Sequence, residues 1–196
     1  AVLASLLVSL AGALVVAADV IARGGAGREV HVGQGFTAGE YGFELVFLLD
    51  GLSATMMVLT AAVTLLVGRF AVNYLHREAG YFRFFLLLSL FAAGFQLLVM
   101  GGTYDLLFTG WEIVGLCSVL LIGFFHERAA PSRAAIRAFV TYRLCDIGLL
   151  IAMVLVHQEC RSAHFLDVMA HPWGVAAATV TGNLLLLAAA GKSALF

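Results

Sequence analysis

Long apolar runs separated by short polar or glycine-rich connectors organise the 196 residues of the chain. Six such runs stand out, at about residues 1–22, 43–67, 82–100, 105–125, 134–156 and 174–196. A hydrocarbon core of roughly 30 Å takes about 20 consecutive apolar residues in helical form, and each run reaches spanning length. In lipid the backbone must satisfy its own hydrogen bonds, which six helices of this kind do more simply than a barrel of alternating strands. The predicted fold is therefore all-α: one polytopic transmembrane domain of about six helices. Between the runs, Arg23 to Gly42 is rich in glycine and polar residues, Gly101 to Asp105 makes a tight turn, and His126 to Arg133 contains Pro131.

Composition points the same way. Hydrophobic residues make up 62% and charged residues 12% of the chain, and the mean hydropathy is +1.02. Soluble domains carry about 45–50% apolar and about 25% charged residues. A net charge of -1 offers no basic field for nucleic acid, which is set aside. Arginine is unevenly placed. The second and fourth connectors and their flanks hold Arg69, Arg77, Arg83, Arg128, Arg133 and Arg137, while the others hold Arg23, Arg28 and Arg161. By the positive-inside rule the arginine-rich side faces the cytoplasm and the Arg23 to Gly42 connector faces out. Cys117, Cys145 and Cys160 are odd in number and widely spaced, and read as packing residues. The first run has no initiator Met or basic leader, so a piece of a longer protein fits better than a signal peptide.

Four ionisable residues interrupt the apolar runs: Glu112, Arg143, Asp146 and Lys192. A charge at a helix centre costs about 2.5–3.5 kcal/mol on insertion scales, so such residues face the bundle interior and mark ion pathways or proton relays. Structural pairing is the competing explanation. Arg143 and Asp146 stand three apart, where a local ion pair can form. Glu112 and Lys192 have no opposite charge three or four positions away, so the partner of Glu112 must come from another helix, and Lys192 either finds one there too or sits neutral. Gly110, Gly115, Cys117, Ser118 and Gly123 around Glu112 allow close helix approach. The phenylalanines 82, 84, 85, 91 and 95 read as lipid-facing or packing surface.

Several motifs fail. Gly191-Lys192-Ser193 lacks the earlier glycine of a phosphate-binding loop, that place being Leu186. His126-Glu127 has Ala130 where a zinc helix needs its second histidine, and the remaining histidines lack ligand spacing. Gly24, Gly25 and Gly27 match no dinucleotide fingerprint. No metal site and no redox cofactor site is expected in this stretch.

The run GWEIVGLCSVLLIGFF (110–125) resembles the signature around the membrane glutamate of the antiporter-like subunit L family of respiratory complex I, shared with Mrp-type cation/proton antiporters. FELVFLLDGLSATM (43–56), EAGYFRFF (78–85), AFVTYRLCDIGLL (138–150) and GKSALF (191–196) resemble that family in the same order. The resemblance implies that Glu112 is the family's essential glutamate, that Lys192 is the lysine of its first broken helix, and that Arg143 and Asp146 are a charged pair one helix earlier. It also implies that the family's first helix precedes the first run. Cys145 stands where relatives often have glycine, and Leu195 where many have glutamine.

The implied function is a non-redox, proton-translocating subunit of an NADH:quinone oxidoreductase in a bacterial inner membrane. It would carry no cofactor itself, NADH and quinone being used elsewhere in the complex, with other membrane subunits as partners. A sodium/proton antiporter subunit, or a relative in an inorganic-carbon uptake complex, is the alternative; a scaffold whose charges only pair for assembly is the third. In the first reading Lys192 takes up and releases a proton while Glu112 tunes how tightly it is held. Burial disfavours an ammonium and a nearby carboxylate favours it, so pairing and unpairing would switch proton affinity.

Overall fold

The computed structural model describes residues 2–38 and 41–193. Its elements in order are α1 (Val2–Ala22), β1 (Arg28–Ala38), β2 (Tyr41–Leu49), α2 (Gly51–Tyr74), α3 (Tyr81–Met100), α4 (Tyr104–Ile122), α5 (Ala129–Cys160), the short α6 (Phe165–Ala170) and α7 (Val175–Lys192). All helices but α6 are long and apolar enough to cross a membrane, which makes six candidate spans among the described residues. The chain is an integral, multi-pass membrane protein. Residues 194–196 of the sixth predicted run, with Leu195, lie outside the described residues.

Two predicted boundaries are corrected. Residues 43–49 begin no helix: they belong to β2, which pairs antiparallel with β1 from Arg28 opposite Leu49 to Ala38 opposite Tyr41. Hydropathy does not separate a buried strand from a helix, and here the helix start is set by a cap. The Asp50 side chain accepts from Ser53 N at 2.7 Å while Ser53 Oγ accepts from Asp50 N at 2.8 Å, a reciprocal capping box. The register slips between His31 and Gly33, where Gly33 takes a φ of 155°. Such a bulge suits glycine, which lacks the Cβ that would be strained there. The fifth predicted run, 134–156, is too short at both ends. Pro131 lies in the first turn of α5, where its missing N–H has no helical partner to lose, so it opens the helix instead of delimiting it.

Consecutive helices pack on one another, α1 on α2, α2 on α3, α3 on α4, α4 on α5 and α5 on α7. Lipid tails are as apolar as leucine, so this association depends on close approach through small residues. A Cβ on Gly110 of α4 would stand 2.7 Å from Leu98 Cα and 2.8 Å from the Gly94 carbonyl of α3. On the other side, a Cβ on Gly148 of α5 would stand 2.8 Å from the Leu184 carbonyl of α7. Glycines therefore set how closely α4 approaches α3 and how closely α5 approaches α7. Of the phenylalanines, Phe85 is buried against Leu88 and Phe124, whereas Phe82 is 86% exposed on the lipid side.

The two ends of the bundle differ. At one end the hairpin, the α3–α4 turn and the α5–α6 loop join: Gly102 N donates to Val46 O at 2.8 Å, and Phe165 N to Gly102 O at 3.0 Å. At the other, Arg83 of α3 donates to Phe124 O at 2.8 Å and lies 3.2 Å from His126 Nδ1. The arginine-rich connectors meet at this second end.

Candidate functional site

The four intramembrane charges come together from three helices. Glu112 lies mid-way along α4, Arg143 and Asp146 near the middle of α5, and Lys192 at the last turn of α7. Glu112 and Lys192 both find partners on another helix, but the pairs are not the expected ones. Arg143 pairs with Glu112, Nη1 to Oε2 at 2.7 Å, and Lys192 lies 3.7 Å from Asp146, Nζ to Oδ2. The Arg143–Asp146 pair allowed by their spacing does not form, and Glu112 is not the salt-bridge partner of Lys192. Three positions leave the two side chains about 60° apart around a helix, enough for them to reach different neighbours. Arg143 turns to α4 while Asp146 turns into the interface with α7.

Burial follows the same division. Asp146 is 2% exposed. The side chains of Glu112 and Lys192 keep 22% and 21%, and that of Arg143 keeps 47%. Each carboxylate has one engaged and one open oxygen. Trp111 Nε1 donates to Asp146 Oδ1 at 2.6 Å, and Arg143 holds Glu112 Oε2. Glu112 Oε1, Asp146 Oδ2, Lys192 Nζ and the Tyr142 hydroxyl are buried and make no hydrogen bond among the described residues.

Two residues of this site carry no charge and were not singled out from the sequence. Tyr142 precedes Asp146 by four positions, so both project from one face of α5. Lys192 Nζ lies 4.0 Å from the Tyr142 ring centroid and 5.3 Å from that of Trp111. The signal was present in both cases: an indole N–H beside Glu112 needs an acceptor when buried, and an aromatic one turn from an intramembrane acid shares its environment. Opposite the tyrosine, Gly115 of α4 leaves the space that the Lys192 amine occupies, and a Cβ there would collide with Nζ. Cys145 packs against Gly191, so the glycine accommodates the bulkier thiol. Among the described residues no group of three or more His, Cys, Asp or Glu side chains is arranged to hold a metal.

Known proteins share this sequence and fold. Residues 36–85 match the family described as NADH-Ubiquinone oxidoreductase (complex I), chain 5 N-terminus, and residues 102–196 match NADH:quinone oxidoreductase/Mrp antiporter, TM. The NADH-quinone oxidoreductase subunit L of Neisseria meningitidis is 38% identical over 175 residues, 82% of this chain and 26% of the relative. That of Mycobacterium tuberculosis is 38% identical over 185 residues, 90% and 29% respectively. That of Escherichia coli is 40% identical over 128 residues, 65% and 21%. The chain thus spans about a quarter of the length of the curated relatives it matches. Among solved structures, that of the Mrp complex from Dietzia sp. superposes with a TM-score of 0.78 at 24% identity, over 97% of this chain and 24% of that one. The chain belongs to the antiporter-like membrane-subunit family common to NADH:quinone oxidoreductase and the Mrp antiporters.

Proposed function

We propose that this chain is part of a proton-translocating subunit L of an NADH:quinone oxidoreductase in a bacterial inner membrane, and that Glu112, Arg143, Asp146 and Lys192 move the proton. One observation carries the reading: the buried cluster pairs its charges but leaves a carboxylate oxygen on each acid, and the lysine amine, without a hydrogen bond. A buried polar group left unpaired costs about 1–3 kcal/mol, so a cluster serving assembly alone would close these bonds. Open acceptors beside a protonatable amine are what successive proton transfers need. Subunit L names among the relatives at 35–40% identity favour the NADH-linked complex over an antiporter or carbon-uptake assembly.

The chain's own residues then divide the work. Lys192 is the group that takes and gives up the proton, and Asp146 is its nearest carboxylate. Glu112, held by Arg143, lies on the neighbouring helix as the next acceptor. NADH and quinone are handled by other subunits, and the coupling arrives as a shift in which pair is closed. A ligand or a neighbouring charge moves such an equilibrium only by acting differently on its two states. The arginine-rich end faces the cytoplasm and the hairpin end faces out, as the positive-inside rule requires.

The test is NADH-driven proton uptake by inverted membrane vesicles holding the intact complex. Glu112→Ala should abolish uptake, and Glu112→Asp should retain much of it. Uptake at the parental rate in Glu112→Ala vesicles would remove Glu112 from the path. Purification of the intact assembly should recover NADH-oxidising subunits; antiporter partners alone, with sodium-dependent uptake, would establish the alternative.

A further inference from the structure

We propose that Tyr142 is a positioning residue for proton transfer at Lys192, its ring holding the lysine ammonium beside Asp146 without letting the two close. The inference rests on the translocation reading above. Lys192 Nζ and Asp146 Oδ2 are 3.7 Å apart, too long for a hydrogen bond although both are buried. Two contacts keep them so. Trp111 draws the other carboxylate oxygen at 2.6 Å, and the Tyr142 ring lies 4.0 Å from Nζ. Gly115 completes the slot by leaving room for the amine on the α4 side.

The chemistry of the ring suits this place. A π face attracts a cation through its quadrupole, most strongly where water is excluded, yet it has no lone pair that accepts a proton. The ammonium is therefore held in position while its protons stay available to Asp146. A closed Lys192–Asp146 pair would instead bind both partners tightly and slow release. The other charges facing the amine are Glu112 on α4 and Arg143 on α5. Arg143 also approaches the Tyr142 ring, at 5.7 Å, but it is committed to Glu112 at 2.7 Å. The ring is thus left chiefly to the lysine. The hydroxyl of Tyr142 makes no hydrogen bond among the described residues, so the aromatic face, and not the phenol, is the working part.

The experiment is NADH-driven proton uptake by vesicles of the full complex, with assembly followed in parallel on native gels. Position 142 carries in turn Tyr, Phe, mono-, di- and trifluorinated phenylalanine, and Leu. Fluorine weakens the quadrupole while nearly preserving shape, so a packing role and a cation-holding role separate. Tyr142→Phe should keep the parental rate, each added fluorine should lower it, and Tyr142→Leu should lose at least about threefold. A flat fluorine series at the Phe rate would overturn the proposal even if Tyr142→Leu fails to assemble. Lys192→Ala in the same vesicles separates the two levels. If it stops uptake while the fluorine series is flat, only the role of the ring falls; if uptake persists, the translocation reading falls and the role of Tyr142 with it.

Discussion

The two ion pairs lie within one cluster but are built oppositely. Glu112–Arg143 is short, at 2.7 Å, and its arginine is half exposed; Asp146–Lys192 is long, at 3.7 Å, around an acid that is almost completely buried. A planar guanidinium suits a fixed carboxylate contact, whereas an ammonium on a flexible stem suits a contact that opens and closes. The first pair fixes α4 against α5. The second spans α5 and α7 and is kept adjustable by aromatic neighbours. The difference teaches that distance and burial together, not the number of ion pairs, separate a fixed contact from an adjustable one.

Asp146→Ala should break the comparison most severely. It leaves the Lys192 ammonium without its nearest carboxylate and the Trp111 N–H without its acceptor, a loss of about 3–5 kcal/mol for an uncompensated buried charge. The expected outcome is a sharp fall in assembled complex on native gels and no uptake from what remains. Trp111→Phe comes next, removing a hydrogen bond to a charged acceptor at about 1.5–3 kcal/mol while keeping the ring. With Asp146 released, the carboxylate can close on Lys192, so uptake should fall further than the melting temperature of the purified complex suggests. Equal loss in both would mean that Trp111 only supports the fold.

Arg143→Ala should cost less, up to about 1 kcal/mol, because half of the arginine side chain is exposed and its interaction is correspondingly weakened. If its melting temperature fell as far as that of Asp146→Ala, the assigned difference between the pairs would disappear. Glu112→Asp should be the mildest, within about 1 kcal/mol, since the charge stays and only the reach shortens. A double-mutant cycle across Glu112 and Arg143 measures that coupling directly, as the part of the double mutant's loss not explained by the single ones.

Much of this was legible without coordinates. The membrane class, the six helical spans in outline and the four intramembrane charges follow from hydropathy and from the cost of charge in lipid. The hairpin was not, because residues 43–49 are as apolar as the helix they precede; only the reciprocal bonds of Asp50 and Ser53 mark where the helix begins. The start of α5 was obscured by Pro131, which is tolerated in a first turn as readily as it ends a helix.

By itself the sequence determined which residues are too costly to face lipid, because that cost belongs to each side chain and its surroundings in the bilayer. Which acid meets which base was decided by the tertiary structure alone. Spacing along one helix permits Arg143–Asp146, but the actual partners depend on how α4 and α7 are rotated and seated against α5. That seating is set by close contacts at Gly115 and Gly123 of α4 on one side and at Gly148 of α5 and Gly191 of α7 on the other. A side chain can pair only with what those contacts bring within its reach.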